Sequence, residues 1–156
     1  MKRMKTLALI SALSLCAMAQ SARNTAVDTY PQSDLASRTK ALDAQGKPFA
    51  SEDLKRYGNH YTMLAYRTET GSAEVHEHEA DLFVIESGSG SLVEGGTVVD
   101  PSTTKPGEIR GKSIRGGKTL PIAPGTVVHI PAGVPHQMII TKGQPISYFV
   151  LKVTGQ

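Results

Sequence analysis

Residues 71–90 read GSAEVHEHEADLFVIESGSG, and the interpretation of the whole chain starts from them. His76 and His78 stand two apart in a run that alternates like a β-strand, where residues i and i+2 point to the same face. We therefore expect both imidazoles to aim at one point, as a metal ion requires of neutral nitrogen ligands. Asp81 follows, and the apolar residues 82–85 predict a returning strand that ends in a Gly/Ser turn.

A second stretch, residues 125–140, reads GTVVHIPAGVPHQMII. Its order is a strand, a tight corner over residues 131–135, and a further strand opened by His136. A third histidine on a separate strand would complete a site with three or four ligands.

The two stretches resemble the two motifs of the cupin family. The first motif is Gly, five residues, His-x-His, three or four residues, Glu, six residues and Gly. Here Gly71 precedes His76 by one residue too few, and only two residues separate His78 from Asp81. Asp81 then stands the required six residues before Gly88.

The second motif is Gly, five residues, Pro-x-Gly, two residues, His, three residues and Asn. Gly125, Pro131, Gly133 and His136 match it position by position, whereas Ile140 stands where Asn is expected. The apolar Ile140 favours a drier cavity on that side and, with it, aromatic or apolar substrates. The resemblance covers roughly residues 60–153.

The resemblance implies an all-β fold, a single double-stranded β-helix (jelly-roll) barrel, and frequent assembly as a homodimer. It also implies a metal held by His76, His78, Asp81 and His136. Such a set suits a divalent transition metal, Fe, Mn, Ni, Co, Cu or Zn, among which the sequence does not choose. Asp81 could instead orient a histidine, with Glu77 or Glu79 as alternative carboxylate ligands.

The N-terminus has the pattern of a secretory signal peptide over residues 1–19. Three basic residues precede an apolar stretch, and a small-x-small signal predicts cleavage after Ala19. The expected location is therefore periplasmic or secreted. Cys16, the one cysteine, leaves with the signal, so the mature protein has no disulfide and no cysteine nucleophile.

Charge argues against two classes of partner. The chain has 17 basic and 14 acidic residues, and removal of the three basic residues of the signal leaves 14 of each. A near-neutral mature protein gives no reason to expect nucleic acid or, after signal cleavage, a membrane as partner. The predicted partner is a small-molecule ligand or substrate.

Three regions are expected in the chain: the signal, an arm over residues 20–58 with short helices, and the barrel over residues 59–156. Ser33 would cap a helix over residues 34–42, and Ser51 would open a second helical turn that ends near Gly58. Alternation predicts a strand over residues 60–67 with Tyr61, Met63, Ala65 and Arg67 on one face. About nine strands are expected, and residues 100–119 are predicted to be a linker near the barrel mouth.

No residue stands out as catalytic. Four candidates for a general acid or base are Tyr61, Tyr66, Glu86 and His129, while His60 is a weaker candidate for ligand contact. No Gly-x-Ser-x-Gly elbow and no Walker spacing occurs. The first functional hypothesis is a metal-dependent, dioxygenase-like enzyme that acts on a small organic molecule. The alternatives are a non-enzymatic small-ligand-binding protein and a metal-dependent isomerase or lyase.

Overall fold

The computed structural model describes residues 26–156, which form one helix and thirteen strands. The predicted signal peptide lies outside the described residues. In chain order the elements are α1 (Gln32–Asp43), β1 (Phe49–Arg56), β2 (His60–Arg67), β3 (Ala73–His76), β4 (Glu79–Ser87), β5 (Gly90–Glu94), β6 (Thr97–Val99), β7 (Ser102–Lys105), β8 (Glu108–Gly111), β9 (Ser113–Arg115), β10 (Lys118–Ile122), β11 (Val127–Ile130), β12 (His136–Ile140) and β13 (Ile146–Thr154).

The strands form two main antiparallel sheets. The order in the five-stranded sheet is β1-β2-β13-β4-β11, and in the six-stranded sheet it is β10-β5-β12-β3-β8-β7. A two-stranded ribbon joins β6 to β9. The chain passes from one sheet to the other between β3 and β4, which is the arrangement of a jelly roll and confirms the predicted all-β fold.

The main core fills the space between the sheets. It contains Phe83 and Ile85 of β4, Met138 and Ile140 of β12, and Tyr148 and Val150 of β13, and it is completed by residues such as Leu92, Ile122, Ile130 and Ile146. Ile140, the residue in place of the motif's Asn, packs in this core at 7% exposure. Ile140 does not line the main cavity, so the apolar lining that was expected from this residue is not seen.

Helix α1 covers the outer face of the five-stranded sheet. Leu35 and Leu42 of the helix pack against Ala50, Leu64 and Tyr66, and the Tyr66 hydroxyl donates a hydrogen bond of 2.8 Å to Asp43. A helix is therefore present where it was expected. It begins at Gln32, however, with Pro31 rather than Ser33 at its N-cap, because the Pro31 carbonyl accepts the first helical hydrogen bonds, from the Asp34 and Leu35 amides.

Two sequence-based expectations are wrong. The second helical turn, expected from Ser51, is strand β1, which pairs with β2 along its length, so the region over residues 49–56 belongs to the barrel sheet. The expected linker over residues 100–119 contains β7, β8, β9 and the start of β10. These strands have three to five residues each, too few for a clear alternation of polar and apolar residues.

In the described residues, no helix is long and apolar enough to cross a membrane.

Candidate metal centre

Four side chains converge between the two sheets. Glu74 and His76 project from β3, His136 from the start of β12, and Asp81 from β4 of the opposite sheet. Asp81 Oδ2 lies 3.4 Å from His76 Nε2 and 3.7 Å from His136 Nε2. Glu74 Oε2 lies 3.6 and 3.8 Å from the same two nitrogens. We call these four residues the Glu74 cluster.

Strand register explains why these residues meet. His136 of β12 is the direct cross-strand partner of Glu74, and Glu74 and His76 share one face because they stand two apart on β3. The corner before β12 is held against β3 by a hydrogen bond of 2.8 Å from the Gly133 amide to the His76 carbonyl. Gly133 has φ +78°, a backbone conformation that glycine adopts without steric cost.

The structure brings His76, Asp81 and His136 of the predicted ligand set together and leaves His78 out. β3 ends at His76, and Glu77 and His78 form the exposed turn through which the chain crosses to the other sheet. The alternation expected to place His76 and His78 on one face stops there, so that expectation is wrong. Glu74, two residues before His76, occupies the position expected for His78.

Each histidine presents its Nε2 atom to the cluster because its Nδ1 atom is engaged elsewhere. His76 Nδ1 donates to Glu108 Oε1 at 2.6 Å, and His136 Nδ1 donates to the Val134 carbonyl at 3.0 Å. Such hydrogen bonds fix the tautomer that leaves the Nε2 lone pair free for a metal. Glu108 comes from β8, inside the segment predicted to be a linker, and is the cross-strand partner of His76.

Cations surround the carboxylates of the cluster. Glu74 contacts Arg110 at 2.5 Å and Arg67 at 3.1 Å, and Asp81 Oδ1 lies 2.6 Å from Lys152 Nζ. Burial alone would raise the pKa of Glu74, but His76, Arg110 and Arg67 outweigh it and hold that pKa well below its usual range. Glu74 is therefore a carboxylate at neutral pH.

The two histidines are shifted in opposite directions. Burial lowers the pKa of His136 and outweighs the hydrogen bond to Val134 and the nearby carboxylates. For His76, burial also acts to lower the pKa, but the Glu74 carboxylate, with Asp81 and Glu108, outweighs it and raises the pKa. His136 is thus neutral at neutral pH, which is the form that binds metal.

The donor set fits a metal ion. In the described residues, one ligand atom from each of Glu74, His76 and His136 lies within 4.8 Å of the others, and the same holds for His76, Glu79 and Glu108. Asp81 Oδ2 and His136 Nε2 are buried without a hydrogen-bond partner. Such orphaned polar atoms are costly unless something satisfies them. Two imidazole nitrogens and two carboxylates are ligands for divalent transition metals, and whether they bind one stays a prediction.

A cavity of about 580 Å³ opens beside the cluster, within the usual size range of small-molecule sites. Among the catalytic candidates, Tyr61 lines it, and burial with the Glu79 charge raises the Tyr61 pKa above its ordinary value. Tyr66 faces helix α1, and burial together with its hydrogen bond to Asp43 raises its pKa to about 12.

The remaining candidates lie away from this cavity. Glu86 does not line it and stands on the face of β4 opposite to the buried Asp81, Phe83 and Ile85. His129 is exposed on β11 and borders a different, small pocket. His60 stacks on Tyr57 and hydrogen-bonds Asn59.

Sequence reasoning missed Glu74, Glu108 and Lys152. For Glu74 a signal was present in the spacing. Four residues separate His76 from Asp81, as the cupin motif requires after its second histidine, whereas only two follow His78. With His76 as the second histidine of the motif, Glu74 stands in place of the first.

Comparisons with known structures agree on the fold. The chain is similar to TT1209 from Thermus thermophilus, with TM-score 0.55 and 15% identity over 76% of this chain and 93% of that one. It is also similar to the cupin domain of Schizosaccharomyces pombe Cnp3, with TM-score 0.52 and 11% identity over 69% and 66% of the two chains.

A third similar structure is DMSP lyase DddQ from Ruegeria pomeroyi DSS-3, with TM-score 0.49, 18% identity and 68% of this chain covered. The match covers 47% of that protein, so this chain spans about half its length. No protein-family model and no curated protein sequence matches the chain. The protein has a cupin fold, a double-stranded β-helix.

Proposed function

We propose that this protein is an exported cupin that binds a divalent transition metal through Glu74, His76, Asp81 and His136 and acts as a metal-dependent enzyme on a small organic molecule. The proposal rests on one observation in the barrel interior. Each of two carboxylate oxygens, from Glu74 and Asp81, lies 3.4 to 3.8 Å from the Nε2 atoms of both histidines. Export rests on the signal-peptide pattern of residues 1–19. Homodimer formation stays a prediction.

The surroundings of the cluster support a role beyond structural metal binding. A four-residue ligand set leaves positions open for water or substrate on a six-coordinate ion, and a bound metal would supply Lewis acidity or, for iron or copper, oxygen chemistry. Those positions would adjoin the 580 Å³ cavity, which has Tyr61 in its lining. Glu108 fixes His76, while Arg67 and Arg110 keep Glu74 ionised.

Dioxygenase-like oxidation is the first reaction class that we propose. The cavity has an apolar wall of Met63, Phe83 and Val150, suitable for an organic substrate. The isomerase or lyase alternative is favoured by Tyr61, whose hydroxyl could donate a proton in the cavity. The identity of the bound metal separates the two classes, since iron or copper favours oxygen chemistry and zinc favours the alternative.

The metal content of the mature protein tests this proposal. We expect about one metal ion per chain in wild-type protein purified without a tag, and loss of that metal in both His76→Ala and His136→Ala, because each removes one ligand. His78→Ala is the matched control, since that exposed histidine lies outside the cluster, and it should keep the metal. Elemental analysis by mass spectrometry measures the metal content of the wild-type protein and of the three variants.

Two outcomes would contradict the proposal. Wild-type protein that carries no metal, and takes none up on reconstitution, would remove the metal-dependent function and leave a binding or structural protein. Equal retention of metal in His76→Ala and wild type would mean that the ion binds elsewhere.

A further inference from the structure

One row of residues crosses the inner face of the five-stranded sheet and ends at the Glu74 cluster. Strand register pairs Arg56 with Tyr61, Tyr61 with Lys152, and Lys152 with Asp81. All four side chains line the main cavity. The Arg56 guanidinium lies over the Tyr61 ring at 4.3 Å, so the row begins at an exposed cation and ends at a candidate metal ligand.

The neighbouring row on the same face is apolar. Met63 pairs with Val150, and Val150 pairs with Phe83, two residues along each strand from the polar row. These three side chains also line the cavity. The cavity floor therefore has a polar row of side chains directly beside an apolar row. Such a surface suits a molecule with one polar end and an apolar body.

Two groups of the polar row have hydrogen-bonding capacity left over. Lys152 Nζ lies 2.6 Å from Asp81 Oδ1 and 3.6 Å from Glu79 Oε2, and this nitrogen is buried without a hydrogen bond of regular geometry. An ammonium group has three donors, so at least one remains after these two contacts. Within residues 26–156, the Tyr61 hydroxyl makes no side-chain hydrogen bond, so it is also free to donate.

Charge around the cluster favours an anion once a metal is present. The carboxylates of Glu74 and Asp81 would balance a divalent ion. Outside them, the cations that contact this region are Arg67, Lys105, Arg110 and Lys152, and the carboxylates are Glu79 and Glu108. Two positive charges are left over, one of them on the exposed Lys105, and electrostatic interactions are strong in the buried part of the site.

We propose that Lys152 and Tyr61 form a carboxylate-binding subsite, and that the substrate is a small carboxylic acid anion whose apolar body lies against Met63, Phe83 and Val150. The inference rests on the proposed function, because the positive charge that favours the anion requires the metal. The cross-strand pairing of Lys152 with both Tyr61 and Asp81 places this subsite next to the positions that the ligand set leaves open.

Calorimetric titration with two probes tests the subsite. Hexanoate and hexanamide have the same apolar body and differ in charge, and each is titrated into cobalt-loaded protein at neutral pH. Wild-type protein should bind hexanoate more tightly than hexanamide. Lys152→Met should weaken hexanoate binding by about 10- to 100-fold, the effect expected for a charge-assisted hydrogen bond, and should change hexanamide binding little.

Three further variants complete the test. Lys152→Arg keeps the charge and should retain the preference for hexanoate, and Tyr61→Phe should weaken hexanoate binding several-fold. Lys118→Met is the matched control, because Lys118 is an exposed lysine on β10 and does not line the cavity. It should behave like wild type. If Lys152→Met fails to fold or to hold cobalt, Tyr61→Phe and Lys152→Arg still decide the question.

Cobalt content, measured first on every variant, separates the two proposals. Absence of bound cobalt in wild type contradicts the metal site and the anion subsite together, since the charge surplus requires the ion. Normal cobalt content with equal affinity for both probes contradicts the subsite alone. A hexanoate preference that persists unchanged in Lys152→Met and Tyr61→Phe also contradicts it.

Discussion

Glu74→Ala is expected to lower metal affinity by at least about 100-fold, since loss of a supporting residue alone costs 10- to 100-fold and Glu74 is proposed to contact the ion directly. Its Oε2 atom lies 3.6 and 3.8 Å from the two Nε2 atoms. Glu74→Gln keeps the size of the side chain while removing its charge, and should also lose most of the affinity. Titration of metal-free protein with cobalt, followed by absorption, measures each affinity.

The matched control is Glu77→Ala. Glu77 is three residues further along and exposed in the turn after β3, so its loss should leave metal affinity unchanged. Because Glu74 also pairs with Arg67 and Arg110, unfolding of each variant is recorded alongside. A folded Glu74→Ala protein with wild-type affinity would contradict the role assigned to Glu74, and a strong effect of His78→Ala would restore the ligand set expected from the sequence.

Gly88→Ala is expected to destabilise the protein by about 2–5 kcal/mol. Gly88 follows β4 with φ +76°, and a Cβ atom there would lie 2.0 Å from the Pro145 carbonyl oxygen and 2.9 Å from Ile146 Cα. The cost combines an unfavourable backbone conformation with a clash against backbone atoms that cannot rotate away. Such a loss is a large share of the stability of a small domain, and urea unfolding measures it.

Gly125→Ala separates the two contributions. Gly125 has φ +85°, but a Cβ atom there would meet nothing within 4 Å. Only the conformational cost applies, so we expect a loss of about 1–2 kcal/mol. Equal losses in the two variants would show that contact with Pro145 is unimportant, and no loss in either would contradict the backbone conformations at both turns.

The fold could be predicted from the sequence wherever strands are long enough to alternate. Strand β2 has the predicted bounds, residues 60–67, because it is eight residues long and contains no glycine or proline to interrupt it. The region over residues 100–119 could not be predicted in this way. Its strands are short and bounded by turns at glycines with positive φ, such as Gly107 and Gly116, and its composition alone is typical of a loop.

The candidate site was predictable in part. His136 was found because its corner sequence is specific, and Asp81 because of its distance from Gly88. Glu74 was missed because the His-x-His pattern was interpreted as a strand that continues to His78, whereas β3 ends at His76. The local sequence pattern does not show where β3 ends. The end of the strand depends on contacts with distant residues, such as the hydrogen bond of 2.8 Å from the Glu77 amide to the Gly107 carbonyl.

The positioning residues were outside the reach of local sequence reasoning. Glu108 and Arg110 meet His76 and Glu74 only through the pairing of β3 with β8, more than thirty residues apart in sequence. Lys152 meets Asp81 only through the pairing of β13 with β4. Such partners follow from sheet register, and a single sequence does not specify the register between distant strands.

The position of the metal in a crystal of cobalt-loaded protein tests the central claim most directly. Anomalous scattering recorded at the cobalt absorption edge locates the ion independently of the protein model. We predict one strong peak bounded by the carboxylates of Glu74 and Asp81 and by the Nε2 atoms of His76 and His136. A peak held by His78, or no peak between the two sheets, would contradict the proposed metal centre.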